Sequence, residues 1–283
     1  MSRTRLMRSP EEFHGAEAGR PCLIVLGGPS GANWRQTLRI VTELEEEPPF
    51  VISCNGAEVP EPDYYLSVEP TAGKKAWFHE QMKLVCPKFI DSKCIAKEGI
   101  STDRDDIIPV TRKRVRMFAD TGPEMDWDPR SYNGGLPCGD AMRHTEAVVH
   151  EHSVGTVGLQ AIGLGTLLGS DRLHTVGWDL RVLPDEPHHW YEDADYKVNN
   201  GWWNPSMRTE YAGVDTFWYW VETAQYMLQF QHLILGINGI SWRDHSDIRG
   251  DQGLLRRIGA GNQTRTGGKN GNQAAPQAYL PAG

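Results

Sequence analysis

The sequence predicts an α/β protein built on a doubly wound, mostly parallel, Rossmann-like sheet with a lid-like insertion. Three observations predict it. Short apolar runs, such as Leu23–Leu26, stop abruptly on small or polar residues. Segments with apolar residues at helical spacing lie between those runs. No window holds an uninterrupted apolar stretch long enough to span a membrane, so the apolar runs belong to a buried core.

The elements follow in chain order. Residues 1–20 read as a flexible N-terminal arm, and residues 21–250 as one α/β domain. Cys22–Ser30 reads as a buried strand ending on Gly27-Gly28-Pro29-Ser30, with Pro29 opening a helix that continues through Trp34, Leu38, Val41 and Leu44. Phe50–Ser53 is a second strand ending at Asn55-Gly56. Tyr64–Val68 is a third, ending at Glu69-Pro70. Lys74–Met82 reads as helix and Lys83–Cys86 as a fourth strand. Residues 99–150 carry many charges and little periodicity, as an insertion or lid does, with a short helix expected at Ala141–His150.

Thr156–Leu168 reads as a helix whose glycines, Gly158, Gly163 and Gly165, are costly unless its backbone packs closely on a sheet or a ligand. Leu173–Val176 is the next strand, ending at Gly177-Trp178-Asp179. Tyr211–Phe230 reads as helix and Leu233–Ile237 as the final strand. From Asp251 the chain is rich in Gly, Asn and Gln, the composition of a disordered tail over 251–283.

Composition narrows the classes. The 283 residues carry a formal net charge of −8, against a general nucleic-acid binder. Five cysteines are widely spaced and form no CxxC pair, so neither a disulfide framework nor a zinc site is expected. With no apolar leader after the basic N-terminus, the expectation is a cytoplasmic protein without a membrane span. Oligomeric state is not legible.

In an open parallel sheet, ligands bind outside the carboxyl ends of the strands. The clusters Gly27–Ser30, Asn55, Glu69 and Gly177–Asp179 would all stand at such ends. Glycines there let backbone N–H groups approach a phosphate. Asn55 suits a ribose or phosphate, and Asp179 a sugar, base or magnesium ion. A turn residue and a helix cap are the structural alternatives for Asn55 and Asp179. His188 and His189 stand near an aromatic segment, where a histidine can serve as general base on an acceptor hydroxyl. His144, His150 and His152 read as surface or lid residues rather than metal ligands.

The order GGPS, CNGA, PDYYLSVEP and GTVGLQAIGLGTLLGSDRLHTVGWDLR resembles the MptE-like 6-hydroxymethylpterin diphosphokinase family. It is similar in plan to the bacterial sialyltransferases that use CMP-sialic acid. The resemblance covers residues 22–70 and 153–180, and 188–245 more loosely. It implies a nucleotide-dependent transferase acting on a small-molecule or glycan acceptor, by glycosyl transfer from a nucleotide sugar or diphosphate transfer from ATP. It further implies donor contacts at Gly27, Gly28, Pro29, Ser30, Asn55, Glu69, Thr156, Gly158 and Gly177. In the diphosphokinase version Asp179 and Glu69 would hold Mg2+; in the glycosyl version His188 or His189 would activate the acceptor. The sialyltransferases carry Asn where Gly27 stands, and Glu69 replaces the Asp of the diphosphokinases. A non-catalytic nucleotide-binding or structural protein on the same fold is the alternative.

Overall fold

A computed structural model describes residues 8–116, 128–132, 135–145, 148–152, 157–179 and 226–246. Thr156, His188, His189 and the 251–283 segment lie outside the described residues, as does most of the helix expected over Tyr211–Phe230.

Seven strands form the main sheet: β1 (Cys22–Val25), β2 (Phe50–Cys54), β3 (Tyr64–Ser67), β4 (Lys88–Asp91), β5 (Ile107–Val110), β9 (Arg172–Val176) and β10 (Ser241–Asp244). Their order is β10-β9-β1-β2-β3-β4-β5, and every pairing is parallel. Such a sheet is covered on both faces, which is why β1, β2 and β3 are buried at every residue. The fold is therefore α/β and Rossmann-like. From β1 the chain winds through β2 to β5, then returns to add β9 and β10 on the other side of β1. The winding direction reverses between β1 and β9.

Helix α1 (Trp34–Glu45) covers one face, with Trp34 and Val41 against Leu23, Val25, Val51 and Val176. Helix α4 (Val157–Leu167) covers the other, against Ile24, Ile52 and Leu66. Every residue from Gly158 to Leu167 is buried, because α4 also packs against the strand Leu136–Thr145 of a second, three-stranded sheet. That sheet contains β6 (Arg112–Arg116), β7 (Leu136–Thr145) and β8 (Val148–His152), with β6 parallel and β8 antiparallel to β7. Short helices α2 (Ala76–Gln81) and α3 (Ser92–Glu98) sit over Tyr65, Ile90 and Ile107.

The glycines of α4 allow close packing on the sheet. A Cβ at Gly165 would stand 3.0 Å from Leu173 Cδ2 and 3.3 Å from Cys22 Sγ, and one at Gly158 would stand 2.9 Å from the Trp178 ring.

Several expected elements differ. The N-terminal arm is docked from Pro10: Phe13 is buried against Tyr64 and Phe89, and the Gly15 and Glu17 N–H groups donate to Leu167 and Leu168 carbonyls. The fourth strand is Lys88–Asp91, not Lys83–Cys86. It opens on a fully buried lysine whose ammonium donates to the Leu84 and Cys86 carbonyls and pairs with Asp106 at 2.7 Å. The helix expected at Ala141–His150 is instead the β7–β8 hairpin, and β5, inside the expected insertion, belongs to the main sheet. The strand expected at Leu233–Ile237 is a π-helical turn, Gln231–Gly236, continuing the helical residues 226–230. The last strand is β10, whose Trp242 lies 5.3 Å from Trp178.

Candidate functional site

Parallel strands share one direction, so Gly27–Ser30, Asn55, Glu69 and Gly177–Asp179 follow β1, β2, β3 and β9 at one edge of the sheet. The reversal between β1 and β9 makes that edge the place where a doubly wound sheet takes ligands.

At the reversal the two turns lock together. The Leu26 N–H donates to the Val176 carbonyl and the Gly28 N–H to the Gly177 carbonyl, each at 2.8 Å. The Gly177 N–H donates to Ser30 Oγ at 3.1 Å. The Ser30 N–H donates to Asp179 Oδ2 at 2.9 Å, and the Gly31 N–H to the Gly28 carbonyl. Asp179 is 2 % exposed and Ser30 7 %. The expectation of bare N–H groups facing a phosphate is therefore corrected: the N–H groups of Gly28, Ser30 and Gly31 are taken up by the protein, and Pro29 has none. A Cβ on Gly28 would lie 2.4 Å from Asp179 Oδ2 and 2.5 Å from the Gly177 carbonyl oxygen. Gly177, at φ +85°, would place a Cβ 2.3 Å from the Leu26 oxygen. These glycines bring two loops into contact, with no room for a side chain at either position.

The rest of the edge is less satisfied. Asn55 adopts φ 52°, a left-handed conformation that Asn tolerates, and its N–H donates to the Leu66 carbonyl. Its Oδ1 is buried with no hydrogen-bond partner among the described residues. The same holds for Ser67 Oγ at the end of β3, for Trp178 Nε1, and for both amide atoms of Gln160. Gln160 lies in the first turn of α4, two residues after Gly158, and helical side chains lean toward the N-terminus. Buried polar groups are normally paired, so several orphans at one edge need an explanation. None of Ser67, Gln160 or Trp178 Nε1 was singled out from sequence as a polar contact.

Glu69 is partly buried and accepts from Thr71 Oγ1 at 2.8 Å. It follows β3, three strands from β9, a separation of about 14 Å at ordinary strand spacing. With Asp179 turned onto Ser30, these two carboxylates do not fit a shared Mg2+. No group of three or more His, Cys, Asp or Glu side chains among the described residues is arranged to hold a metal ion. Cys22, Cys54, Cys86 and Cys94 are buried, and burial pushes their thiols up, against the nucleophilic thiolate form. Arg112, at the start of β6, reaches back to the edge. It donates to the Val68 carbonyl, and its Nε lies 3.6 Å from Asp91 Oδ2.

Neither a family model, nor a curated protein, nor a solved structure matches this chain. The site therefore rests on its own geometry. No helix among the described residues is long and apolar enough to cross a membrane.

The edge next to β9 holds one more polar group. Asp244 ends β10, and its Oδ1 accepts from Thr175 Oγ1 at 2.8 Å, Ser246 Oγ at 2.7 Å and the Ser246 N–H at 3.2 Å. The Trp178 N–H donates to Ser246 Oγ at 2.6 Å, which ties this carboxylate to the Gly177–Asp179 turn. Burial pushes the Asp244 carboxyl up to about 6 against its hydrogen bonds, and the Asp179 charge pushes the same way.

Proposed function

We propose that this chain is a nucleotide-dependent transferase whose donor lies across the carboxyl edge of β9, β1, β2 and β3. One observation carries the reading: Asn55 Oδ1, Ser67 Oγ and Trp178 Nε1 are buried without hydrogen-bond partners among the described residues, on residues at or just beyond the ends of β2, β3 and β9. Each such group costs about 1–3 kcal/mol if nothing satisfies it. Together they offer donors and acceptors suited to ribose hydroxyls, a base edge and phosphate oxygens. The resemblance to MptE-like diphosphokinases and sialyltransferases supplies the reaction class, glycosyl transfer from a nucleotide sugar or diphosphate transfer from ATP.

In this reading the Gly27–Ser30 loop shapes the site rather than gripping phosphate. Asp179 is a positioning residue that holds Ser30, and the Gly158 turn approaches the donor. His188 or His189 would take the proton of an acceptor hydroxyl in the glycosyl version. Mg2+ in the diphosphokinase version would need ligands other than a shared Glu69–Asp179 pair.

The second reading, a nucleotide-binding protein without chemistry, is favoured by a particular observation: the loop that would cradle phosphate has its N–H groups turned inward. Release of free nucleotide from nucleotide sugars or ATP, assayed with and without Mg2+ over a panel of hydroxyl acceptors, separates the two. Turnover supports the transferase. Binding without turnover across the panel supports the second reading.

A further inference from the structure

Asp244 is held by one oxygen only. Oδ1 accepts all three hydrogen bonds, from Thr175, Ser246 Oγ and the Ser246 N–H. Oδ2 makes no hydrogen bond or ion pair among the described residues, and the residue is partly buried, not sealed. A protonated carboxyl keeps its carbonyl oxygen as an acceptor. A proton on Oδ2 therefore leaves the three anchoring bonds intact. The side chain can gain or lose a proton without the strand end rearranging.

Its surroundings favour both states near neutral pH. Donors from Thr175 on β9 and from Ser246 beyond β10 stabilise the anion, while burial and the nearby Asp179 carboxylate oppose it. Through Ser246 Oγ, Asp244 is linked to the Trp178 N–H, next to the orphaned Trp178 Nε1 and one residue before Asp179. A carboxylate that costs stability when ionised, kept at the carboxyl end of a strand beside the ligand edge, is the arrangement that supplies or accepts protons at active sites.

We propose that Asp244 is the proton-exchanging group of this edge, taking up or releasing a proton at Oδ2 when a nucleotide-type ligand binds beside Trp178. The proposal rests on the nucleotide-binding reading above. No bond to Asp244 other than the O–H is made or broken, and the proton passes to or from ligand or solvent.

The test is calorimetric titration of the full chain with ATP, CMP and a CMP sugar at pH 6, in buffers of different ionisation enthalpy, for wild type and Asp244→Asn. The Asn carbonyl keeps the Oδ1 acceptor, and thermal melts check that the variant is folded. The expected result is wild-type binding coupled to exchange of about half a proton per ligand, the amount open to a group half-titrated at that pH. The variant should bind with that share of the exchange abolished, leaving only the protons exchanged by the ligand's own phosphate. Binding with identical proton exchange in both proteins overturns the role of Asp244 and leaves the nucleotide reading standing. Failure of every ligand to bind wild type overturns both. Carboxyl-carbon NMR adds a ligand-independent arm: an Asp244 signal titrating near pH 4, as an ordinary aspartate does, also overturns the proposal.

Discussion

Replacing Gly28 by alanine tests the interlocked turns directly. Gly28 sits at φ −65° and ψ 163°, which alanine adopts freely, so no backbone strain enters. The whole cost comes from the new methyl. It would lie 2.4 Å from Asp179 Oδ2 and 2.5 Å from the Gly177 carbonyl oxygen, where carbon and oxygen normally keep more than 3 Å. Asp179 can swing away only by giving up the 2.9 Å bond from the Ser30 N–H, a charge-assisted bond contributing about 1.5–3 kcal/mol. The Gly177 carbonyl is backbone, held by the Gly28 N–H itself, and pushing it aside adds about 1–3 kcal/mol of overpacking. Alanine recovers about 0.4–1 kcal/mol by restricting the unfolded chain. The net loss is about 3 kcal/mol, read from urea denaturation of wild type and variant. The reasoning that a larger residue here leaves the fold intact, natural for a loop facing a ligand, predicts no loss. A change below about 0.5 kcal/mol would refute the interlock.

Asp244→Asn has a pH-dependent effect on stability. The folded carboxyl sits near 6 against an ordinary 3.8, so the folded state holds this proton more tightly than the unfolded chain. Wild type therefore loses stability as pH rises from about 4 to about 6, by up to about 3 kcal/mol at 1.36 kcal/mol per unit. The variant, lacking that titration, should match wild type near pH 3.5 and exceed it by about 3 kcal/mol at pH 7.5 in urea titrations; a difference independent of pH would contradict the assigned environment. Asp179→Asn keeps an oxygen to accept the Ser30 N–H but removes the charge. Because Asp179 holds Ser30 and not the ligand in this account, the variant's melting temperature should move by only a few degrees and nucleotide affinity by less than tenfold, under about 1.4 kcal/mol. A larger loss of affinity in a folded variant would contradict the positioning role.

The clustering of the candidate site was legible because it follows from strand direction. Once the runs at Leu23, Phe50, Tyr64 and Leu173 are taken as parallel strands, Ser30, Asn55, Glu69 and Asp179 must share an edge. What faces what was not legible. Gly28 and Gly177 have the composition of a ligand-binding turn, but their inward packing depends on the adjacency of β1 and β9, which lie about 150 residues apart in sequence. Lys88 hid β4, because a lysine at the head of a strand reads as a surface residue until Asp106 and two carbonyls are brought to it. Edge strand β10 buries only Trp242 of its four residues, too little to show a period, and the more apolar Leu233–Ile237 drew the assignment instead. That stretch follows directly on a helix, and this context overrides its strand-like composition. Gln160 lay hidden in an apolar helix, where its burial on every side became apparent only with β7 packed against α4.

The central claim is that the carboxyl edge of β9, β1, β2 and β3 binds a nucleotide through groups that lack partners among the described residues. Isothermal titration of the full chain against nucleoside mono-, di- and triphosphates and nucleotide sugars, with and without Mg2+, tests it most directly when paired with Asn55→Leu. The account predicts saturable one-site binding of at least one nucleotide by wild type, weakened at least tenfold in Asn55→Leu. It is contradicted if wild type binds nothing in the panel under either metal condition, or if a folded Asn55→Leu protein binds as tightly as wild type.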